Sequence, residues 1–113
     1  MAVVRAICPQ WRLFNRARVT TAAKVGRSKG PAFKNGKGVS LHWDQEVSTT
    51  HGKFALVDGQ LAFTDLGSTN GSYVLGANDA ATPLVKNEPC ALEVGSRLRL
   101  GSTVLRVAAV EDL

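Results

Sequence analysis

Ser48 and His51 are the side chains of this 113-residue chain whose types could supply a nucleophile and its general base. The two residues are only three positions apart, and the strand, elbow and helix that hold a hydrolase serine are missing around them. Paired carboxylates for acid–base catalysis are not evident, and two histidines without a nearby acid cluster do not predict a metal site. We therefore expect no enzyme activity, no catalytic residue, no metal and no cofactor.

A second candidate for chemistry is the lysine-rich segment Ser28–Gly38, because Gly36-Lys37-Gly38 resembles the end of a nucleotide-binding P-loop. Gly30 lies one residue too far away, Gly38 replaces the required Ser or Thr, and no helix follows to present its N-terminus. The sequence therefore does not predict a nucleotide site.

Charge is distributed unevenly along the chain. Residues 1–43 contain nine of the 14 basic residues and no acid, whereas the remainder contains five bases and all nine acids, so +9 and −4 give the net charge of +5. A one-sided basic segment favours an anionic partner. Nucleic acid, anionic lipid, phosphorylated protein and a solvated surface with no partner all fit this charge pattern.

Length and composition predict one domain that spans 1–113, since single domains run to ~100–200 residues. No apolar run approaches the ~18 residues of a membrane span, and the opening residues resemble neither a signal nor a transit peptide. We expect an intracellular protein, cytoplasmic or nuclear, that does not contact membranes. Cys8 and Cys90 have no partner at metal spacing and are predicted to be reduced, buried thiols.

The elements that must position any site are strands, because short apolar runs alternate with glycine and turn residues. Arg97 and Arg99 alternate with Leu98 and Leu100, which is typical of a strand with one wet face and one packed face. Asp58-Gly59 predicts a hairpin turn. The predicted strands are Ala2–Cys8, Val19–Val25, Val39–Trp43, His51–Val57, Gln60–Leu66, Ser72–Leu75, Cys90–Val94, Arg97–Leu100 and Thr103–Val110. The other predictions are loops at Ser28–Gly38 and Asn78–Pro83 and a turn of helix within Arg12–Ala17.

Three polar segments flank these strands. They are Gly26-Arg27-Ser28, Ser48-Thr49-Thr50-His51 and Asp65-Leu66-Gly67-Ser68-Thr69-Asn70-Gly71-Ser72. In this order, on an all-β background, they resemble the forkhead-associated (FHA) domain family, whose pattern is Gly-Arg, then Ser-x-x-His, then a run close to Asp-Leu-Gly-Ser-Thr-Asn-Gly-Thr. The segment Leu92–Gly101 is similar to the closing region of the family, so the resemblance covers roughly residues 2 to 110.

The resemblance implies an all-β, FHA-type β-sandwich of about eleven strands with binding loops at one end. It implies that these loops bind phosphothreonine peptides and that the partner is a threonine-phosphorylated protein or peptide. Arg27 offers a planar fork that matches phosphate oxygens, and Ser48 offers a short charge-assisted hydrogen bond. Asn70 fits the position whose amide binds the peptide backbone, and Thr69 lies beside it.

Thr49 occupies a position where the family often has Arg, Lys or Asn. We therefore expect weaker phosphate binding, or a compensating lysine from the Ser28–Gly38 loop. Gly26 and Gly71 are expected to support the site by permitting backbone angles that a Cβ would obstruct. His51 matches a family residue that braces the binding loop by hydrogen bonds without touching the ligand, and the domain is expected to be a monomer.

Two other functions fit parts of the same sequence. A nucleic-acid-binding β-domain would use the basic first third, but aromatic residues are only 6% of the chain and no stacking platform is visible. An FHA-fold scaffold that binds its partner without phosphate would instead use a face of the sandwich.

Overall fold

The computed structural model describes residues 1–6, 17–28 and 38–110. These residues form eleven strands and a 3₁₀ turn at Ala77–Asp79. The strands are β1 (Ala2–Ala6), β2 (Ala17–Val19), β3 (Ala22–Gly26), β4 (Gly38–Ser40), β5 (Gly52–Val57), β6 (Gln60–Asp65), β7 (Ser72–Leu75), β8 (Ala81–Pro83), β9 (Cys90–Leu92), β10 (Arg97–Leu100) and β11 (Thr103–Val110). The prediction of an all-β fold of about eleven strands is confirmed.

The strands form two sheets that share one core. The six-stranded sheet has the order β2-β1-β11-β10-β7-β8, and the five-stranded sheet has the order β4-β3-β5-β6-β9. β3 and β4 run parallel, and the other neighbouring pairs are antiparallel. Alternate residues of each strand point inward, so the two inner faces bury their apolar side chains against each other.

The core is built from aromatic and branched aliphatic side chains of both sheets. Phe54 and Phe63 lie opposite each other on β5 and β6 and meet edge to face, with ring centroids 5.1 Å apart. Leu98 and Leu100 of β10 are buried, whereas Arg97 and Arg99 are more exposed, which confirms the predicted alternation. Burial of each such large apolar side chain stabilises the fold by about 1.5–3 kcal/mol. Trp43 is partly buried and packs against this core.

Two strand predictions and one loop prediction differ from the structure. The predicted strand Val39–Trp43 is too long, because β4 ends at Ser40 and the chain then turns, with the Asp44 N–H donating to the Leu41 carbonyl at 3.1 Å. The predicted strand Val19–Val25 is broken at residues 20–21, because β2 belongs to the six-stranded sheet and β3 to the five-stranded sheet. The predicted loop Asn78–Pro83 contains β8, an edge strand in which Pro83 is tolerated because its missing N–H faces away from the sheet.

Other local predictions are confirmed or lie outside the described residues. Asp58 and Gly59 both have positive φ, 53° and 79°, as a tight hairpin turn requires. Cys90 is a free thiol among the described residues, but it is only half-buried, which is less than predicted. Cys8, most of the helical turn at Arg12–Ala17 and most of the loop Ser28–Gly38 are not among the described residues.

The three polar segments lie at one end of the sandwich. β3 ends at Gly26 and β5 begins at Gly52, and these two strands are antiparallel neighbours. β6 ends at Asp65, directly opposite Gly52, so the loop that leads to β7 starts beside the loop that enters β5. The described part of the chain contains no helix of the length and apolar character that crossing a membrane requires.

Candidate functional site

The first polar segment is fixed to the second by backbone contacts. The Arg27 N–H donates to the Ser48 carbonyl at 3.0 Å, and the Ser28 N–H donates to the Thr49 carbonyl at 3.3 Å. Gly26 is required here by close approach, since a Cβ at this position would lie 2.8 Å from the Thr49 carbonyl carbon. The expectation that Gly26 permits a special backbone angle is wrong, because its φ is not positive and it is the close approach of the Thr49 carbonyl that makes this glycine necessary.

His51 joins the second segment to the third from a fully buried position. Its Nδ1 accepts the Ser48 N–H at 3.1 Å, which leaves the ring proton on Nε2. Nε2 in turn donates to the Gly71 carbonyl at 2.9 Å. Gly71 has φ 78°, a left-handed conformation that glycine adopts without strain.

The neutral form of His51 is the form that this hydrogen-bonding pattern needs. Burial lowers the pKa of His51 below its ordinary value of 6.5, and this effect outweighs the opposing influence of the Gly71 carbonyl and of Asp65. A proton on Nδ1 would remove the acceptor of the Ser48 N–H. The low pKa therefore protects the link between the two loops at neutral pH.

Asp65 organises the third segment from inside the protein. Its Oδ1 accepts the N–H groups of Gly67 and Ser68, each at 2.8 Å, and its Oδ2 accepts the hydroxyls of Ser68 and Ser72, each at 2.5 Å. Burial raises the pKa of Asp65, but these hydrogen bonds outweigh burial and hold the pKa below its ordinary value. The buried carboxylate thus stays ionised and holds the loop of residues 66–71 in one shape.

Two further hydrogen bonds bring Ser48 and Asn70 into the same small area. The Thr69 N–H donates to Ser48 Oγ at 3.0 Å, so this hydroxyl is oriented as an acceptor and keeps its own hydrogen for another partner. The Asn70 side chain donates through Nδ2 to the Glu46 carbonyl at 2.8 Å. Its Oδ1 makes no hydrogen bond to the described residues and can accept one.

Arg27 lies beside this area and is half-buried. Its Nη1 donates to Gln45 Oε1 at 3.3 Å, which places the guanidinium against the loop that leads to Ser48. Thr49 and Thr69 are exposed on the surface around it. All eight residues singled out in the sequence, Gly26, Arg27, Ser48, Thr49, His51, Thr69, Asn70 and Gly71, therefore belong to one cluster of loops.

Sequence reasoning missed Asp44, which anchors the loop before Ser48. Its Oδ2 accepts the Ser102 N–H at 2.8 Å and the Thr103 hydroxyl at 2.7 Å, and its Oδ1 accepts the Glu46 N–H at 3.0 Å. The bond to the Glu46 N–H is local, because Asp side chains often accept from the backbone two residues further on, and the sequence could have indicated it. The bond to Thr103, 59 positions away, had no signal in the sequence.

Two further expectations concern the surroundings of the site. The lysines that could compensate for Thr49 are Lys29, Lys34 and Lys37, and all three lie outside the described residues. Within residues 1–6, 17–28 and 38–110, no group of three His, Cys, Asp or Glu side chains is placed to hold a metal ion.

Fold and site define a two-sheet β-sandwich whose end loops form a cluster of hydrogen-bond donors around an arginine. The chain matches the family model of the FHA domain over residues 23–101, which include most of β3 and all of β4 to β10. The protein belongs to the FHA domain family, and the resemblance noted in its sequence is confirmed. No curated protein matches the chain.

Solved FHA domains share the fold at low sequence identity. The FHA domain of an Arabidopsis thaliana hypothetical protein is 22% identical, with a TM-score of 0.73 over 99% of this chain and 87% of that chain. The FHA domain of human APLF, in complex with an XRCC1 bisphospho peptide, is 19% identical, with a TM-score of 0.69 over 96% and 98% of the two chains. The MEK1 FHA domain, in complex with a HOP1 phosphothreonine peptide, is 20% identical, with a TM-score of 0.68 over 98% and 97%.

Proposed function

We propose that this protein is a phosphothreonine-dependent interaction module that binds a threonine-phosphorylated protein through Arg27, Ser48 and Asn70. The observation that carries the proposal is the hydrogen bond from the Thr69 N–H to Ser48 Oγ. Because the hydroxyl oxygen is already an acceptor, its hydrogen is free to donate to a phosphate oxygen. Membership of the FHA family and the phosphopeptide complexes of similar domains support the same function.

Arg27 supplies the charge for the phosphate. One of its five N–H donors is used by Gln45, so the remaining donors can form a bidentate contact with a dianion. The backbone bond from Arg27 to the Ser48 carbonyl keeps the two residues adjacent before the ligand arrives. Less ordering of the loops is then needed on binding, and preorganisation of this kind improves affinity.

Asn70 is the residue proposed to hold the peptide backbone. Its bond to the Glu46 carbonyl fixes the amide and leaves Oδ1 and one N–H for an extended chain, which has both donors and acceptors. Thr69 and the exposed Thr49 hydroxyl contribute at the rim. Gly26, His51 and Gly71 act through the loops that they support.

We further propose that residues 1–113 act as one non-enzymatic, monomeric domain inside the cell. β1 and β11 lie outside the family match, yet they pair with each other and complete the six-stranded sheet, which supports a single unit.

Calorimetric titration of a degenerate phosphothreonine peptide library, with unphosphorylated and phosphoserine versions, tests this function. We expect binding to the phosphothreonine library and a loss of at least about tenfold in affinity for Arg27→Gln, since hydrogen bonds to charged groups contribute about 1.5–3 kcal/mol. Lys53→Gln is the matched control, because it removes one positive charge from an exposed strand position. Binding that survives dephosphorylation, or that Arg27→Gln leaves unchanged, contradicts the proposal.

A further inference from the structure

Three arginines form a line across the outer face of the six-stranded sheet. Arg97 of β10 lies directly opposite Arg106 of β11, and Arg106 lies directly opposite Arg5 of β1. Directly opposed residues of neighbouring strands point to the same face, and the strands are about 4.8 Å apart. We call these three residues the arginine row. It places three positive charges across a span of about 10 Å.

This row lacks a full set of counter-charges within the described residues. Arg97 donates to Asp79 at 2.5 Å, but Asp79 is 73% exposed and lies at the surface. Arg5 and Arg106 are both exposed, and neither has a carboxylate within ion-pair distance in the described part of the chain. Like charges directly opposed across strands destabilise a sheet, so an anion bound along the row would relieve that repulsion.

Two cavities that share one lining arginine lie on this face, the first at Asn70 of the candidate site and the second at Arg97 of the arginine row, and together we call them the groove. A cavity of about 470 Å³ is lined by Glu46, Asn70, Tyr73 and Arg99 together with the β10–β11 turn. A second cavity of about 330 Å³ is lined by Leu75, Asp79, Arg97, Arg99 and Val104. Arg99 is common to both, and its guanidinium lies over the Tyr73 ring, 4.6 Å from the centroid.

We propose that the arginine row binds an acidic stretch of the phosphorylated partner, which reaches it from the site through this groove. The inference rests on the proposed function. Leu75 follows Asn70 by five residues and lies opposite Arg97. An extended peptide that lies over the outer face of β7 advances ~3.4 Å per residue, so its acidic residues reach Arg97 about five residues from the phosphothreonine.

The charges in the groove define which peptide positions matter. Glu46 and Arg99 both line the first cavity, so acidic residues next to the phosphothreonine meet one charge of each sign. Acidic residues further along meet Arg97 first, and they meet Arg106 and Arg5 where the peptide turns to run across the strands. The partner therefore has neutral residues beside its phosphothreonine and acidic residues beyond them.

An acidic protein segment fits this surface better than a nucleic acid does. Single-stranded nucleic acid binds through bases that stack on exposed aromatic faces. Tyr73 is the aromatic residue on this face of the described strands, and Arg99 already covers its ring. Carboxylates need no stacking surface, because they can bind directly to the exposed guanidinium groups of the arginine row.

The test uses three phosphothreonine peptides that differ in charge: one neutral, one with aspartates beside the phosphothreonine, and one with aspartates beginning about five residues away on either side. We expect the distal acidic peptide to bind about threefold to thirtyfold more tightly than the neutral one at about 0.15 M salt. Arg106→Gln should remove about twofold to fivefold of that gain, and the matched control Lys53→Gln should remove none. The proximal acidic peptide should show no such gain.

Asp79→Asn provides an independent variant that should increase affinity. Asparagine tolerates the left-handed backbone of this position, where φ is 57°, and the substitution frees Arg97 from its ion pair. We expect the distal acidic peptide to bind this variant about twofold to fivefold more tightly than it binds the wild type.

The outcomes separate this inference from the proposed function. If the neutral peptide binds and the distal acidic peptide gains nothing, the inference is wrong and the proposed function stands. If none of the phosphopeptides binds, the proposed function and the inference fail together. In a competition experiment, a single-stranded oligonucleotide could displace the distal acidic peptide from the wild type and displace it less from Arg106→Gln. That result would assign the row to nucleic acid and overturn the inference.

Discussion

Asp65→Ala tests whether one buried carboxylate gives the loop of residues 66–71 its shape. The substitution removes the acceptor of four hydrogen bonds, and three of the donors, the Ser68 N–H and the hydroxyls of Ser68 and Ser72, are buried. Each buried donor without a partner costs about 1–3 kcal/mol, and part of that cost is recovered as the loop relaxes toward water. We expect the free energy of unfolding to fall by about 3–5 kcal/mol.

Equilibrium unfolding in urea measures this effect, with two variants for comparison. Ser72→Ala removes one of the four hydrogen bonds and should cost about 1 kcal/mol. Asp79→Asn replaces an aspartate of the surface ion pair and should cost less than about 1 kcal/mol. A cost below about 1 kcal/mol for Asp65→Ala, with an unchanged m value, would refute the argument that Asp65 organises the loop.

The acid sensitivity of the wild type offers a second measurement of the same residue. Burial raises the pKa of Asp65, but the hydrogen bonds from Ser68, Ser72 and the backbone hold it below its ordinary value of 3.8. Ionised Asp65 therefore contributes stability that is fully present above that value and is lost as pH falls through the lower pKa of the folded state. Asp65→Ala should be less stable throughout and should lose less stability on acidification below pH 3.8. Parallel losses in wild type and variant would contradict this assignment.

Four other perturbations have defined outcomes. Gly26→Ala places a Cβ against the Thr49 carbonyl, so it should lower the free energy of unfolding by about 2–3 kcal/mol in urea and weaken phosphopeptide binding. Thr49→Arg adds a guanidinium beside Ser48 and should raise phosphopeptide affinity about threefold to tenfold by calorimetry; an unchanged affinity would place residue 49 away from the phosphate. Burial lowers the pKa of His51, so the melting temperature of the wild type should fall as pH falls below 6.5. His51→Ala should be less stable at every pH, but thermal melts should not show this loss on acidification. Arg106→Thr removes repulsion within the arginine row and should raise the melting temperature by about 2–5 °C, and a decrease would contradict that repulsion.

Much of the fold was predictable because its signals are local. Asp58-Gly59 is a two-residue turn that twists with its flanking strands, so the hairpin of β5 and β6 could be placed without knowledge of any other element. The alternation from Arg97 to Leu100 likewise follows from the two-residue period of a strand. The break at residues 20–21 was not predictable, since the chain changes sheet there while its composition remains that of a strand.

The candidate site shows the same division between local and distant information. The members of the site were predictable from three short motifs in order, but their connections were not. The bond between Asp44 and Thr103 joins positions far apart in sequence, and only the completed sandwich brings them together. The arginine row depends on the register of three strands, and a slip of one residue in β11 would move Arg106 to the other face of the sheet.

The pairing of the first strand with the last has a consequence for how the molecule assembles. β1 lies against β11 from Ala2 opposite Val110 to Ala6 opposite Leu105, and β2 joins the described sheet through β1. Contacts between such distant positions stabilise the fold only after almost the whole chain has lost conformational entropy. Folding should therefore take milliseconds to seconds rather than microseconds. During translation the first two strands must wait for β11 to leave the ribosome, and their unpaired edges are then exposed to chaperones and to aggregation.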